Sequence, residues 1–258
     1  MNGSVLPPAI WIEEFKVHSY EVDLKRKASL ETLCRFFQEA AWNHAEALGA
    51  GYSHLQQLKK FWVLSRLRLE IQRYPVWGQT VSIRTWPRAA KSVFAWRDFE
   101  VMDEGEGRLL GGTSGWLMVD AVSRRPQRMD KVLPFIMGLS DRRATTSDPE
   151  KLPGCEVPQT RMEVAARYSD IDVNGHANNA RYLGWLLDSY PVDFHRTHAL
   201  SVAEVNFLAE TVGGDQVLVG TQETGPGDFC HSIAKVDGGE EVCRARMKWE
   251  ADAGTAPG

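Results

Sequence analysis

The segment Arg167-Tyr-Ser-Asp-Ile-Asp-Val-Asn-Gly-His-Ala-Asn-Asn-Ala-Arg-Tyr182 is a junction where extended chain passes into a helix. Asp170, Asp172, Asn174 and His176 occupy every second position. A two-residue period in extended chain turns side chains to one face, so the spacing predicts that all four line one cleft. Gly175 frees the backbone beside His176, and Asn178 or Asn179 is placed to cap a helix running through Tyr182, Leu183, Leu186 and Leu187. The N-terminus of that helix offers amides and a partial positive charge to an oxyanion. Ala177, Asn178 and Asn179 are therefore expected around a reacting carbonyl oxygen. A carboxylate, an amide, an imidazole and oxyanion donors in so short a span make an acyl-transfer set. The same residues also fit a polar loop, a helix cap and a structural histidine.

Working outward, the junction has a counterpart. Tyr20-Glu-Val-Asp-Leu-Lys-Arg-Lys-Ala-Ser29 precedes a helix from about 29 to 48, on which Leu30, Leu33, Cys34, Phe37, Ala40 and Ala41 recur at three- and four-residue steps. Ser29 is the expected N-cap, and Gly49 and Gly51 end the helix. Strand-like stretches follow near 61–72, 79–87, 92–103 and 108–120, separated by turn signals. The second half repeats the order: a strand near 159–168, a helix near 178–190, then strands near 201–209, 215–223, 228–236 and 241–249. Gly213-Gly-Asp215 stands where Trp77-Gly-Gln79 stood. One helix with a set of antiparallel strands, twice, is an α+β plan in which each helix lies against a sheet. The expected division is a first unit over 1–130, a linker over 131–158 rich in Pro, Asp, Arg, Ser and Thr, a second unit over 159–250, and a disordered tail over 251–258.

Composition narrows the partners. The chain has 258 residues, 43% apolar and 25% charged, ordinary values for a globular protein. No stretch reaches the ~20 apolar residues of a membrane span. A net charge of −4 argues against nucleic acid as a bulk partner. Cys34, Cys155, Cys230 and Cys243 are scattered without metal-ligand spacing, and reduced thiols are the expectation, with no metal. Met1-Asn-Gly-Ser-Val-Leu-Pro-Pro8 lacks the pattern of a signal or transit peptide, so a cytoplasmic protein is expected.

Asp170-Ile-Asp-Val-Asn-Gly-His-Ala-Asn-Asn-Ala-Arg-Tyr-Leu-Gly-Trp185 resembles the signature D-L-D-M-N-x-H-V-N-N-x-K-Y-I-G-W of the acyl-ACP thioesterase family, the plant fatty-acyl-ACP thioesterases and their bacterial relatives. The first half is similar too, at Gln38-Glu-Ala-Ala-Trp-Asn-His44, Arg73-Tyr-Pro-Val-Trp-Gly78, Arg97-Asp98 and Trp116-Leu-Met-Val119. The resemblance spans about 12–249 and implies two tandem hotdog units, hydrolysis of acyl-ACP to free fatty acid, and no cofactor. It carries catalytic roles to Asp172, Asn174 and His176, and to Glu210 in Asn206-Phe-Leu-Ala-Glu-Thr211. By composition alone Glu210 is only an acid at a strand end. Two departures stand out. The family's cysteine beside that glutamate is Thr211 here, which removes a thiol nucleophile. Gly175 replaces the plant glutamine, which leaves acyl-CoA or aryl-CoA open as alternative substrates.

On this reading Glu210 and His176 activate a water, Asn174 orients the water or the carbonyl, and Asp172 fixes its neighbours. Glu210 attacking directly is the alternative. An apolar cleft is expected to raise the glutamate's pKa. The first unit lacks the polar set and is expected to hold the acyl chain, with Trp42, Phe61, Trp62, Leu64, Trp86, Phe94 and Trp96 as candidate lining. Acyl carrier protein is acidic, so two basic clusters are candidate docking sites: Arg84, Arg88 and Lys91, and Arg124, Arg125, Arg128 and Lys131. Neither nucleic acid nor membrane is expected as a partner, and two hotdog units in one chain allow a monomer or a homodimer. A non-catalytic hotdog module binding acyl thioesters is the rival reading from a different class.

Overall fold

The computed structural model describes residues 8–88, 93–105, 107–128, 142–155 and 158–252. The first unit contains β1 (Trp11–Lys16), α1 (Leu30–Ala47), α2 (Tyr52–Gln57), β2 (Lys60–Ile71), β3 (Thr80–Pro87), β4 (Phe94–Asp103), β5 (Gly107–Asp120) and β6 (Pro126–Gln127). The second contains β7 (Thr160–Ala165), α3 (Asn179–Asp188), α4 (Val192–Thr197), β8 (His198–Phe207), β9 (Gln216–Gly225), β10 (Asp228–Lys235) and β11 (Glu241–Ala251). All strands join one antiparallel sheet in the order β1-β3-β4-β5-β2-β8-β11-β10-β9-β7, with β6 beside β5.

The order reads the same from either end, and the seam is the pairing of β2 with β8, where Arg68 faces Glu204. The fold is the α+β plan that the internal repeat predicted, in the double hotdog form that the resemblance implied: two half-sheets fused edge to edge, each curved around its own helix. Both helices bury the apolar stripe read from the sequence. Leu33, Phe37 and Ala40 of α1 and Leu183 and Leu186 of α3 belong to one core with Leu69, Ile83, Phe99, Val205 and Val219. Phe37 stacks on Phe99 at 4.5 Å between centroids. Ser29 caps α1 by accepting from Thr32 N–H at 3.1 Å, and Asn178 caps α3 by accepting from Ala180 N–H at 2.9 Å. The short helices α2 and α4 carry no strong periodic signal and were not expected.

Strand alternation sends Trp86, Trp96, Asp98 and Glu100 to the opposite, outer face, where residues 142–155 cross the sheet as a strap. Asp98 accepts from Ala144 N–H, Glu70 from Thr146 N–H at 3.0 Å, Glu204 from Glu150 N–H at 2.6 Å, and Asn206 Oδ1 from Leu152 N–H at 2.8 Å. Arg244 donates to Leu152 O at 3.0 Å. The strap therefore touches both units and satisfies carboxylates that the sheet alone leaves half-buried. Gly111 is required beneath it: a Cβ there meets Ala144 O at 2.0 Å. The expected tail beyond residue 252 lies outside the described residues.

This geometry corrects the candidate acyl lining. Trp86 is buried on the outer face, donating to Arg142 O, and Phe94 stacks on Trp96 beneath Arg66 on that same face. Trp42 is 49% exposed and stacks on Tyr52. Phe61 lies under Arg124, and Trp62 donates to Ala50 O beside α2. Of the seven, Leu64 lines the narrow cavity between α1 and the sheet, together with Phe37, Leu67, Phe99 and Trp116. Counting aromatics by segment cannot separate the two faces of a strand; the alternation of β3 and β4 does.

Candidate active site

The hairpin ahead of α3 is a tight turn, not an extended strand. Ile171 bridges Ala177, Asp172 N–H donates to His176 O at 2.9 Å, and Gly175 N–H donates back to Asp172 O at 3.0 Å. Asp172 Oδ1 accepts from Asn174 N–H at 2.8 Å, an Asx-type turn, and Gly175 takes the left-handed φ of +81° that closes it. The expectation of four side chains on one face fails for this reason. Asp170 points into the protein, 4% exposed, where it accepts from Arg167 N–H at 2.8 Å and from Arg181 Nε at 2.7 Å. Asn174 sits exposed at the turn, and Asp172 works inside the hairpin, with Asn178 Nδ2 3.5 Å from its Oδ2.

His176 and Glu210, 34 positions apart in sequence, come together: Nε2 to Oε2 is 3.1 Å. The join is made by backbone, since Ala177 N–H donates to Thr211 O at 2.8 Å and so lays the hairpin against the end of β8. The side chains are 32% and 51% exposed, at an open mouth, which corrects the apolar enclosure expected around Glu210. Thr211 itself is fully buried, and its Oγ1 accepts from Tyr182 OH at 2.9 Å. The residue standing at the family's cysteine position thus locks the hairpin to α3 and faces away from the mouth.

The expected oxyanion donors are also revised. Ala177 N–H is consumed by Thr211 O and Asn178 N–H by Asp170 O at 2.9 Å, and the Asn178 side chain caps α3. Among the described residues, the amides of His176 and Asn179 have no acceptor assigned. Arg181 was missed by sequence reasoning as a support. Besides Asp170 it reaches Glu31 of α1 at 2.7 Å, binding α3 to the first unit. Its three-residue offset from Asn178 on a helix was the available signal.

The first unit repeats the hairpin bond by bond without its chemistry. Val22 bridges Ala28, Asp23 N–H donates to Lys27 O at 2.8 Å, Asp23 Oδ1 accepts from Lys25 N–H at 2.8 Å, and Ala28 N–H donates to Pro75 O at 2.8 Å. Lys27 thus occupies the place of His176, and Tyr74 the place of Glu210. Lys27 Nζ pairs with Asp252 at 2.9 Å, and Tyr74 OH donates to Leu200 O at 3.1 Å, so this first-unit junction cements the two units. Lys27 N–H is closed by Asp23 Oδ1 at 3.0 Å, whereas the equivalent His176 amide is not so closed. The larger cavity, about 550 Å³, opens at this first junction and not at His176. We give it no catalytic role, because it holds no imidazole–carboxylate pair.

The docking candidates divide. Arg88 is 5% exposed and ion-paired with Asp98 and Asp148 under the strap, so it is a structural cation and not a docking group. Arg84 is half-buried on β3, while Arg124, Arg125 and Arg128 stand exposed around the β5–β6 turn. Lys91 and Lys131 lie outside the described residues.

Fold and site together define a tandem hotdog protein with one acid–base junction retained and one replaced. The acyl-ACP thioesterase N-terminal domain matches residues 8–133 and the acyl-ACP thioesterase C-terminal domain residues 157–251. The chain belongs to the acyl-ACP thioesterase family. It is 31% identical to a chloroplastic palmitoyl-acyl carrier protein thioesterase of Gossypium hirsutum, over 93% of this chain and 63% of that protein, so it spans less than two thirds of that relative. It is 30% identical to oleoyl-acyl carrier protein thioesterase 2 of Arabidopsis thaliana, over 92% of this chain and 76% of the relative. Among solved structures, an acyl-ACP thioesterase from Bacteroides thetaiotaomicron superposes with a TM-score of 0.85 at 27% identity, covering 94% of this chain and 98% of that one. The 12:0-ACP thioesterase from Umbellularia californica also gives 0.85, at 26% identity, covering 95% and 98%.

Proposed function

We propose that the protein hydrolyses the thioester of acyl-acyl carrier protein and releases a free fatty acid. The observation that carries this reading is the contact of 3.1 Å between His176 and Glu210 at one junction, set against Lys27 and Tyr74 at its two-fold mate. Only the first arrangement can take a proton from water and return it to a leaving thiolate. A module that merely bound acyl thioesters has no need of that asymmetry.

In the proposed cycle Glu210 accepts a proton from a water that adds to the carbonyl carbon. His176 orients the carboxylate through Nε2 and passes a proton to the departing sulfur. The amides of His176 and Asn179 are the donors for the oxyanion, with the exposed Asn174 side chain supporting the water or the carbonyl. Asp172 acts on the hairpin, holding Asn174 and Asn178 in place. Thr211, buried against Tyr182, takes no covalent part. The acyl chain runs between α1 and its sheet, where Phe37, Leu64 and Leu67 line the narrow cavity and must part to admit it.

The carrier protein is proposed to dock on Arg124, Arg125 and Arg128. The two-fold supports this: Asp252, just past β11, reaches Lys27, and β5 is the equivalent strand of the first unit, so its end runs toward His176.

The test is turnover of matched acyl-ACP and acyl-CoA by wild type, Glu210→Gln and His176→Ala. Each variant is expected to lose roughly 10²–10⁴-fold in kcat on acyl-ACP while keeping the wild-type Tm. Wild-type kcat in Glu210→Gln removes its assigned role, and a higher kcat/KM on acyl-CoA replaces the proposed substrate.

A further inference from the structure

The strap ends against the second unit at Cys155, and there it meets Cys230 of β10 with 2.8 Å between the Sγ atoms. Bonded sulfurs lie about 2.05 Å apart. The two thiols are therefore close enough to be joined and are not joined. They also bracket one acceptor, Gln222 Oε1, at 3.5 Å from Cys155 and 3.7 Å from Cys230. Both cysteines are half-buried and reachable, whereas Cys34 and Cys243 are buried, an internal control within the same chain. On β10 the neighbouring His231 faces the core, so Cys230 faces outward, on the side that the strap covers.

We propose that Cys155 and Cys230 are a reversible oxidation site, which a small disulfide of the glutathione type converts to an intramolecular disulfide pinning the strap to β10. Both thiols are half-buried, and the opening attack falls to Cys230, held on strand β10, with Cys155 on the strap as the resolving thiol. Its thiolate breaks the small disulfide, forming a mixed disulfide and expelling one small thiol. Cys155 then gives up its proton and attacks the Cys230 sulfur, and the second small thiol leaves. Two electrons pass from the protein dithiol to the small disulfide, and the products are one protein disulfide and two small thiols.

The bond joins positions 75 residues apart, and the loop it closes contains the catalytic hairpin, α3 and Glu210. Its effect is to restrict the unfolded chain around the catalytic unit while leaving the mouth on the other side of the sheet untouched. The oxidised protein is the more heat-resistant form, with the same turnover.

The experiment treats the full chain with glutathione disulfide and then with dithiothreitol, following intact mass, thiol count in denaturant, tryptic peptides and Tm. Oxidation is expected to remove two of the four thiols, to lower the mass by the two hydrogens lost and to link the Cys155 and Cys230 peptides. Tm is expected to rise by at least about 5 °C and to return on reduction. Cys155→Ser and Cys230→Ser, each folded as judged by Tm in reductant, are expected to show neither the link nor the rise. Four titratable thiols after oxidation, a persisting glutathione adduct without an internal bond, or a bond formed with no change in Tm each overturns the proposal.

Discussion

Acidification is expected to weaken the second unit through His231, by an amount that follows from its surroundings. The ring is 1% exposed on β10, with Nε2 2.7 Å from Tyr190 OH and Nδ1 3.0 Å from Thr221 Oγ1. Two hydroxyls can serve a neutral imidazole completely, one donating and one accepting, but among the described residues no anion pairs with the ring to receive an imidazolium. Burial pushes its pKa from 6.5 down to about 3. The sign follows: below pH 6.5 the unfolded chain takes a proton that the folded chain refuses, so stability is full above that pH and falls as pH drops. The slope is about 1.4 kcal/mol per pH unit, and the loss between pH 7 and 4.5 is about 2.5 kcal/mol. The assay is urea unfolding across that range for wild type and His231→Gln, whose amide can still bond both hydroxyls. At a urea dependence of about 1–3 kcal/mol per molar, the wild-type midpoint is expected to fall about 1 M further than that of the variant. His44, pushed down to about 4 by burial and by Arg97, adds a fall of the same sign that both proteins share and the difference cancels. Parallel midpoint curves refute the assignment of a buried neutral ring.

Two further outcomes follow from packing. Gly111→Ala drives a methyl onto Ala144 O and is expected to cost about 1–3 kcal/mol in urea unfolding, whereas the same change at Gly154, where the nearest atoms are those of the Arg244 side chain at 3.8 Å, makes only an ordinary contact. Arg181→Met strips the guanidinium from the buried Asp170 and from Glu31, and a loss of about 3 kcal/mol is expected. Arg181→Lys should recover only part of it, since one ammonium cannot reproduce the fork that holds both carboxylates.

The sequence by itself determined a twice-repeated plan of one helix against antiparallel strands, because that plan rests on local periods, and resemblance to the acyl-ACP thioesterases made it a double hotdog. The helical stripe of Leu33, Phe37 and Ala40 and the caps Ser29 and Asn178 need no knowledge of the rest of the chain. The role of Glu210 rests on the family resemblance, since composition alone leaves it an ordinary acid at a strand end. What only the tertiary structure decided is where those side chains go. The two-residue period of Asp170, Asp172, Asn174 and His176 counts as one face only if the backbone stays extended, and hydrogen bonds inside the hairpin fold it into a turn that buries Asp170. Trp86 and Phe94 sit on strands whose outer face is covered by a strap, a fact about residues 142–155 that no local pattern encodes. Contacts across long separations, from His176 to Glu210 and from Arg181 to Glu31, exist because β2 pairs with β8 and sets two similar units edge to edge. Local sequence selects the elements; the closing of that shared sheet brings residues distant in sequence together at two equivalent junctions, one of which holds His176 and Glu210.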